Sequence, residues 1–397
     1  MTNLLPQQNR LLSLDVLRGL VMVIMALDHV RDYFHADAFL HDPTDLDQAS
    51  AATFLTRWIT HFCAPAFVWL AGASAYLYGK KHGKEALSRF LWTRGLWLIF
   101  LELTVLNFAW YFQFVLHDVL LIVIWVLGLS MICLAALSRL PMRWVWTLGL
   151  ALVFGHNLLD AFQLQGNSWQ AVLWAVVHQN GYFAYGEASI FAAYPLLPWL
   201  GVMLLGFAMG SWFAPHFPAD LRRRWLSNAG YLAVVLFVVL RLADVYGEPT
   251  PLIRYDENIF SFLSLLNTTK YPPSLLYLLM TLGPIWLLLA ALERLNGQEG
   301  LAKALAVIGS VPLFYYVVHL YVIHLLALLA AEFTGFGWQA MLLQGWVSYE
   351  PQLKGYGFSL GSTYLIWLGI VGLLYPMSLY WSRFKKRHAG KWWVGYV

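Results

Sequence analysis

The chain has 397 residues, of which 60% are hydrophobic and 12% are charged, and its mean hydropathy is +0.61. Soluble domains are about 45–50% apolar and about 25% charged, so this composition excludes an ordinary soluble protein and predicts a membrane protein with many spans. The two cysteines, Cys63 and Cys133, lie in separate apolar segments. They form no CxxC motif and argue against a disulfide framework.

Apolar segments predict ten membrane spans, near residues 14–35, 54–78, 88–110, 115–138, 143–160, 194–213, 226–245, 273–293, 304–330 and 358–382. The stretch 168–193 favours a short interfacial helix over a span. The first apolar run is too long and too charged for a cleavable signal peptide, so we expect it to remain in the mature chain. The predicted fold is all-α, a single transmembrane helical bundle over residues 1–397 with short cytosolic tails at about 1–12 and 383–397.

Basic residues are distributed unevenly between the predicted loops. Most of the 25 lysines and arginines fall on one side, in runs near residues 80–94, 139–143, 222–224, 294–303 and 383–391. The loops on the other side carry the acidic runs HDPTDLDQ and GEPTPLIRYDEN. Because cytoplasmic loops are enriched in Lys and Arg, this asymmetry predicts that both termini lie inside and that the number of spans is even.

The first predicted span, SLDVLRGLVMVIMALDHVRDYF, carries ionisable side chains at both ends. Asp15 and Arg18 lie near its start, and Asp28, His29 and Asp32 lie near its end. Such groups cost roughly 2.5–3.5 kcal/mol each near the centre of an inserted helix, and they persist where they line a cavity or pair with each other. Arg18 and His29 are separated by about three helical turns, which places them on nearly the same face about 16 Å apart.

Other polar side chains gather in the predicted outer half of the membrane. They are Arg57, His61, Glu102, Asn107, Arg241, His319 and His324. This segregation favours a hydrated cavity that opens outward. The inner half offers Asp15, Arg18 and the basic ends of several spans, where a polyanionic cytosolic ligand such as a nucleotide-like cofactor has room to dock.

Each of these signals also has a structural interpretation. His29 is equally compatible with a packing histidine, and Asp15 with Arg18 is compatible with an ion pair at the membrane interface. Arg31 is spaced to form ion pairs with Asp28 and Asp32, and such pairs would lower the free-energy cost of inserting all three side chains into the membrane. Glu102 is compatible with a buried partner for an arginine, and His61 with a cap or a cavity wall. The small-residue stretches LAGASA and GVMLLGFAMG predict close helix packing.

Several functional classes find no support in the motifs. His319 and His324 are about 140° apart around a helix, so they make a poor metal pair, and we predict no metal site. The chain has no Walker loop, GxGxxG fingerprint, GxSxG elbow or HExxH motif, which excludes transport driven by a nucleotide-binding domain in this chain. Its short juxtamembrane basic runs suit anionic lipid rather than nucleic acid.

Six segments carry a family resemblance: LDVLRGL with MALDHVRDYF, THFCAPAFVWLAGASAYL, YPLLPWLGVMLLGFAMG, KYPPSLLYLLMTLGP and GSVPLFYYVVHLYVIH. Over roughly residues 10–385 the chain resembles the bacterial relatives of heparan-alpha-glucosaminide N-acetyltransferase, within the wider transmembrane acyltransferases. The resemblance implies acetyl-CoA used from the cytosolic side, passage of the acyl group within the membrane, and an acceptor on the lumenal or periplasmic side.

A histidine is held to be central in that family, and two positions compete for the role here. In the lysosomal branch the position matching His29 is asparagine, and the implicated histidine lies in the loop after the first span, where this chain has His35 and His41. The acyltransferase-3 branch instead carries a histidine late in its first span after an RG motif, which favours His29. Glucosaminide specificity does not carry over.

Together these features predict an acyltransferase of the bacterial inner membrane. It moves an acetyl or short acyl group from acyl-CoA to a sugar or glycan amine or hydroxyl. His29 is the predicted base or acyl relay, with Asp28, Asp32 and His61 as further catalytic candidates. Arg18, with Asp15, is predicted to contact the donor phosphates. Arg57, Glu102, Asn107 and His319 are the predicted acceptor contacts.

Two rival classes remain open. A proton-coupled transporter of a small polar solute would also use buried histidines, aspartates and arginines, although the chain shows no inverted repeat. A non-catalytic partner in an envelope assembly fits the concentration of titratable groups less well. Membrane lipids are expected partners in every case, nucleic acid is not, and a homo-oligomer stays open.

Overall fold

The computed structural model describes residues 12–113, 118–294 and 300–396, so the predicted tail up to residue 11 and the first residues of the predicted fourth span lie outside it. Within these ranges the chain is mostly helical. The helices are α1 Leu12–Phe34, α2 Ala51–Thr60, α3 Cys63–His82, α4 Lys84–Leu101, α5 Asn107–Tyr111, α6 Val123–Leu137, α7 Met142–Gly155, α8 Trp169–Val177, α9 Leu196–Met209, α10 Ala219–Ala243, α11 Asn258–Leu266, α12 Leu275–Leu292, α13 Gly300–Gly309, α14 Pro312–Phe333 and α15 Leu360–Arg387.

Seven helical segments in the described part of the chain are long and apolar enough to cross a membrane. They are Ala51–His82, Lys84–Tyr111, Leu196–Phe213, Ala219–Ala243, Leu275–Leu292, Pro312–Phe333 and Leu360–Arg387. The 23-residue α1 is long enough but carries too many charged residues to join this set. These segments confirm a multi-pass membrane protein, while the count of ten spans and the inside location of both termini stay predictions.

Three predicted spans are interrupted. The second is broken between α2 and α3, and the third contains a π-helical turn, Glu102–Leu106, between α4 and α5. The prediction of one continuous helix over 304–330 is wrong, because the chain breaks between α13 and α14 at Pro312. Proline has no N–H to donate, and its ring clashes with the preceding turn, so a helix begins at this residue more readily than it continues through it.

A small β-sheet was not predicted by the all-α interpretation. Its strands are β1 Asp118–Leu121, β2 Gly181–Tyr185 and β3 Ala188–Ala192, in the order β1-β3-β2. β1 pairs with β3 in parallel, and β2 pairs with β3 antiparallel through a turn at Gly186, whose φ is +64°. The helix expected within 168–193 is present as α8, but the second half of that stretch forms the β2–β3 hairpin.

α1 runs through the interior of the bundle and packs against α3, α13, α14 and α15. Two glycines allow its backbone to approach α13: a Cβ on Gly19 would lie 1.9 Å from a backbone oxygen of α13, and one on Gly309 would lie 1.9 Å from a backbone oxygen of α1. Gly72 on α3 and Gly206 on α9 meet in the same way, at 2.1 Å. The predicted close packing of the LAGASA and GVMLLGFAMG stretches is therefore confirmed.

The bundle has two ends, which we name for their side chains. The Arg18 end holds the start of α1, and the His61 end holds the end of α1 and the break between α2 and α3. At the His61 end, Arg241 is fully buried and donates three hydrogen bonds of 2.6–3.0 Å to the carbonyl oxygens of Thr250, Ser264 and Asn267. Arg241 therefore fixes the loop between α10 and α12, and its guanidinium is used there rather than in an open cavity.

Candidate active site

A pair of histidines from two distant helices lies at the centre of the candidate site. Nδ1 of His29 on α1 is 2.7 Å from Nε2 of His319 on α14. Nδ1 of His319 is in turn 3.0 Å from the carbonyl oxygen of Tyr315, one helical turn earlier. Because a carbonyl oxygen only accepts, Nδ1 of His319 carries a proton, Nε2 of His319 accepts, and Nδ1 of His29 donates. This hydrogen-bond network assigns the tautomers of both neutral rings.

The other nitrogen of His29 is left with a lone pair. Nε2 of His29 has no hydrogen-bond partner among residues 12–113, 118–294 and 300–396, and the residue is 9% exposed. Trp110 meets the imidazole edge to face with ring centroids 4.9 Å apart, and Tyr316 does so at 6.3 Å. An oriented imidazole lone pair within aromatic walls is suited to accepting a proton or attacking an electrophile.

Asp28 lies at the centre of a separate network of charges beside the histidines. Arg57 donates to both of its carboxylate oxygens at 2.6 and 2.7 Å, and Thr60 donates at 2.9 Å. Arg31 lies 3.0 Å from the same carboxylate and 2.5 Å from that of Asp32. Asp28 and Asp32, two of the predicted catalytic candidates, therefore bind the arginines, and His319 is the residue that holds the His29 ring.

His61 occupies the break between α2 and α3. Its carbonyl oxygen accepts a 2.8 Å hydrogen bond from the hydroxyl of Tyr277, and the two rings meet edge to face at 5.5 Å. The residue is 2% exposed, and its buried Nδ1 has no hydrogen-bond partner in the described residues. The structure thus places His61 beside the charged network of Asp28 and not in contact with His29.

A cavity of about 350 Å³ extends from Arg18 to Tyr316, a neighbour of the histidine pair. Its walls come from α1, α3, α4, α6 and α14 and are mostly apolar, including Met22, Leu70, Leu98, Leu127 and Met131. Arg18, Ser74 and Arg94 supply polar atoms, and Tyr316 closes the deep part. The Tyr316 ring lies 5.4 Å from that of His319, so the cavity reaches the wall of the histidine pair.

Arg18 is fixed by three neighbours at the mouth of this cavity. It bonds the carboxylate of Asp15 at 2.8 Å, the carbonyl oxygen of Gly309 at 3.1 Å and the hydroxyl of Ser74 at 3.1 Å. The predicted pairing of Asp15 with Arg18 is present, so Asp15 acts on a ligand only through the arginine. Because α1 and α13 are in close contact at Gly309, the carbonyl oxygen of Gly309 lies within hydrogen-bonding distance of Arg18.

The C-terminal segment covers part of the same mouth. Arg94 donates to the carbonyl oxygen of Gly395, which lines the cavity, and the indole N–H of Trp97 donates to the carbonyl oxygen of Tyr396 at 3.0 Å. The hydroxyl groups of Thr93 and Tyr396 are 2.7 Å apart. The end of the chain is therefore held by α4 at the opening of the cavity.

Two predicted acceptor contacts lie outside the histidine pair. Glu102 is fully buried in the π-helical turn, and one of its carboxylate oxygens accepts a 2.9 Å hydrogen bond from the backbone N–H of Trp125. A carboxylate at this position satisfies the free N–H groups at the start of α6 and interacts favourably with the helix dipole. Asn107, 1% exposed, begins α5 directly after the turn. Neither residue lines the cavity between Arg18 and Tyr316.

Three other histidines named by the sequence analysis make contacts away from the His29–His319 pair. His324 lies 2.9 Å from the carbonyl oxygen of Ala109 and 2.7 Å from that of Met341, so it holds backbone segments together. His35 contacts the carbonyl oxygen of Phe358 at 3.1 Å, and His41 lies in the loop after α1. Among the described residues, no group of three or more His, Cys, Asp or Glu side chains is arranged to hold a metal ion.

Sequence reasoning did not assign three residues that shape this region: Arg94, Trp110 and Tyr316. Tyr316 lies three residues before His319 and therefore shares its helix face, which was a usable signal. Arg94 was included only among the basic ends of the predicted spans and was not singled out. Trp110 comes from a segment far from α1 in the sequence, and no local period indicates its position beside His29.

The comparison with protein families gives a match over the first part of the chain. The family described as heparan-alpha-glucosaminide N-acetyltransferase, catalytic, matches residues 10–241, which is more than half of the chain. The matched region includes α1, both helices around His61, the π-helical turn and α9. His319, Tyr316 and Lys270 lie beyond it. A search among curated proteins found no match.

Proposed function

The chain belongs to the heparan-alpha-glucosaminide N-acetyltransferase family, and we propose that it transfers an acetyl or short acyl group from cytosolic acyl-CoA to a sugar or glycan amine or hydroxyl. In this proposal the donor enters at the Arg18 end and the acceptor at the His61 end. The basic loops support a cytoplasmic Arg18 end, and with it an acceptor in the periplasm and a protein in the inner membrane of a bacterium.

The observation that carries the proposal is the cavity between Arg18 and Tyr316. An acyl-pantetheine arm is a narrow chain of methylene, methyl and amide groups joined to phosphates, and the cavity offers mostly apolar walls with Ser74, Arg18 and Arg94 as polar groups. Arginine is well suited to phosphate because its guanidinium donates several hydrogen bonds in a fixed plane. A thioester at the end of that arm would approach Tyr316 and the histidine pair, while the nucleotide would stay outside.

The chemistry follows from the tautomer of His29. Nε2 accepts the proton of the acceptor amine or hydroxyl as the acceptor heteroatom attacks the thioester carbonyl carbon. The new C–N or C–O bond forms, the C–S bond breaks, and the proton passes from His29 to the departing CoA sulfur. His319 keeps His29 oriented by accepting from its Nδ1–H. If Nε2 attacks the thioester itself, an acyl-histidine forms first, and the acceptor then displaces it with the same net result.

Equilibrium binding of acetyl-CoA to the purified protein tests the donor site. We expect micromolar binding to the wild type, weaker binding to Arg18→Ala and Arg94→Ala, and unchanged binding to His29→Ala. Arg224→Ala is the matched control, because Arg224 is exposed and does not line the cavity. Absence of binding by acetyl-CoA and longer acyl-CoAs would contradict the proposal. Solute uptake driven by a proton gradient in vesicles without CoA would favour the transporter instead.

A further inference from the structure

One aromatic ring separates the cavity from the histidine pair. The cavity that begins at Arg18 ends at Tyr316, and none of the described residues that line it is a histidine. The Tyr316 ring lies edge to face with that of His29 at 6.3 Å and with that of His319 at 5.4 Å. Because this ring borders both the cavity and the two imidazoles, a thioester in the cavity is kept from Nε2 of His29 in this conformation.

Tyr316 is placed between the cavity and the imidazoles by α14. It lies three residues before His319, so the two side chains share a helix face, and the residue is 2% exposed. Displacing the ring needs no movement of the main chain, since rotation about the side-chain torsions carries it from one staggered rotamer to another. The adjoining cavity of about 350 Å³ gives the ring room to rotate. The ring is therefore the movable part of the wall.

A carboxylate near this ring has one oxygen without a hydrogen-bond partner. Glu102 is fully buried, and the backbone N–H of Trp125 donates to its Oε2 at 2.9 Å. Its Oε1 makes no hydrogen bond with the residues that the structure describes. An unpaired buried polar atom is costly, so a donor that reaches Oε1 is favoured. Tyr316 lies within electrostatic range of this carboxylate, and its hydroxyl is such a donor.

The carboxylate is fixed beside the cavity. Leu98, one turn before Glu102, lines the cavity. α4 and α6 are in backbone contact, because a Cβ on Gly95 would lie 2.6 Å from the carbonyl oxygen of Gly128. The π-helical turn Glu102–Leu106 directs the carboxylate towards the start of α6, and such turns are frequent at functional sites. Since this wall is rigid, the tyrosine is the partner that moves.

We propose that Tyr316 is a gate between the cavity and the histidine pair, and that its hydroxyl binds Oε1 of Glu102 when the gate is open. The ring is closed in this structure. The proposal rests on the proposed acyl transfer and adds control of the reactive step to it. Glu102, predicted from the sequence as an acceptor contact, becomes a positioning residue that acts through Tyr316.

A gate at this position protects the thioester from water. If His29 met the thioester with no acceptor bound, Nε2 would take a proton from water as the water oxygen attacked the carbonyl carbon. The C–S bond would break, the proton would pass to the CoA sulfur, and acetyl-CoA would be lost as acetate and CoA. Closing an active site prevents side reactions of this kind. The closed ring keeps His29 and the thioester apart between transfers.

Access to His29 tests the gate without any acyl donor. Diethylpyrocarbonate reacts with the lone pair of a neutral imidazole, and mass spectrometry of the modified peptides gives a rate for each histidine in the full-length protein. We expect slow modification of His29 in the wild type and in Tyr316→Phe, which keeps the ring, and modification at least about tenfold faster in Tyr316→Ala. His216 is exposed and should react in every variant, whereas His324 binds two carbonyl oxygens and should stay unreactive.

Release of the CoA thiol from acetyl-CoA tests the consequence of opening. Without an acceptor, Tyr316→Ala should release CoA at least about tenfold faster than the wild type, and adding His29→Gln should cancel this gain. With glucosamine, Tyr316→Phe should slow transfer about 2-fold to 12-fold, the range expected for one hydrogen bond. Glu102→Gln keeps the shape of the side chain and should slow transfer comparably. The two changes together should cost no more than the larger single loss.

The matched control is Tyr321→Ala on the same helix. The Tyr321 hydroxyl donates to the carbonyl oxygen of Val105 at 2.9 Å, and this residue does not line the cavity. The variant should change neither the modification of His29 nor the release of CoA without an acceptor. Unfolding of Tyr316→Ala would expose His324 to the reagent, and Tyr316→Leu, which also removes the ring, then takes its place.

The outcomes separate the gate from the proposed function. Equal modification of His29 in the wild type and in the variant without the ring overturns the gate. A wild-type transfer rate for Tyr316→Phe overturns the role of the hydroxyl and of Glu102. Absence of acetyl-CoA binding would refute acyl transfer alone, because the access of the reagent to His29 is measured without acetyl-CoA.

Discussion

The hydrogen bond between His29 and His319 predicts that the two residues act as one unit in acyl transfer. Replacing His319 by glutamine removes the fixed acceptor for Nδ1–H of His29. His319 is fully buried, so water does not easily replace it. Leaving a buried donor unsatisfied costs about 1–3 kcal/mol. If that cost falls on the oriented state of His29, kcat decreases about 5-fold to 150-fold, since about 1.4 kcal/mol is a factor of ten.

The assay is release of the CoA thiol from acetyl-CoA in the presence of glucosamine. Wild type, His29→Gln, His319→Gln and the double variant are compared as a cycle. We expect His29→Gln to lower kcat by about 10²–10⁴, as the loss of a general base does. The double variant should be no slower than His29→Gln, because His319 acts only through His29. Acetyl-CoA binding should not change in any of them.

A matched control is available on the same helix. His324 is also fully buried on α14, but its ring binds two backbone carbonyl oxygens. His324→Gln should therefore lower the unfolding temperature without any special coupling to His29. Two results would refute the reasoning: losses from His29→Gln and His319→Gln that multiply in the double variant, or a kcat for His319→Gln equal to that of wild type.

Three further predictions follow from packing, charge and access. Gly309→Ala places a Cβ 1.9 Å from a backbone oxygen of α1 and should lower the unfolding temperature strongly. The matched control is Gly369→Ala on α15, where a Cβ would meet no atom within 4 Å. This control should leave the unfolding temperature nearly unchanged. Arg57→Met leaves the negative charge of Asp28 without its main partner and should lower the free energy of unfolding by about 3–5 kcal/mol, measured by chemical unfolding. Adding Asp28→Asn removes that charge and should recover part of the loss. Equal stability of the single and double variants would contradict this prediction. Deletion of the chain from residue 392 onward removes Gly395 from the cavity mouth and should speed acetyl-CoA association in stopped-flow measurements. An unchanged rate would show that this segment is no barrier.

Local sequence patterns predicted much of the first helix. The spacing of Arg18 and His29 follows from helical geometry alone, and the structure places Arg18 at the cavity and His29 at the histidine pair. The partner of His29 was not predictable in this way, since His319 is 290 residues away and its approach depends on how α1 and α14 pack. Hydrophobicity likewise indicated apolar segments but not the breaks inside them or the β2–β3 hairpin.

Packing between distant segments also explains why α1 can be so polar although it lies at the core of a membrane protein. Its charged side chains find partners within the bundle: Arg18 through Asp15, Gly309 and Ser74, and Asp28 through residues of α2. These partners exist only after α3, α13 and α2 have assembled around it. We infer that α1 owes its place in the bundle to these contacts as well as to its apolar residues, because its charged side chains are too many for the set of seven. The proposed acyl transfer gives these polar groups a purpose, because Arg18 lines the cavity and Nε2 of His29 lies behind the Tyr316 ring that lines it as well.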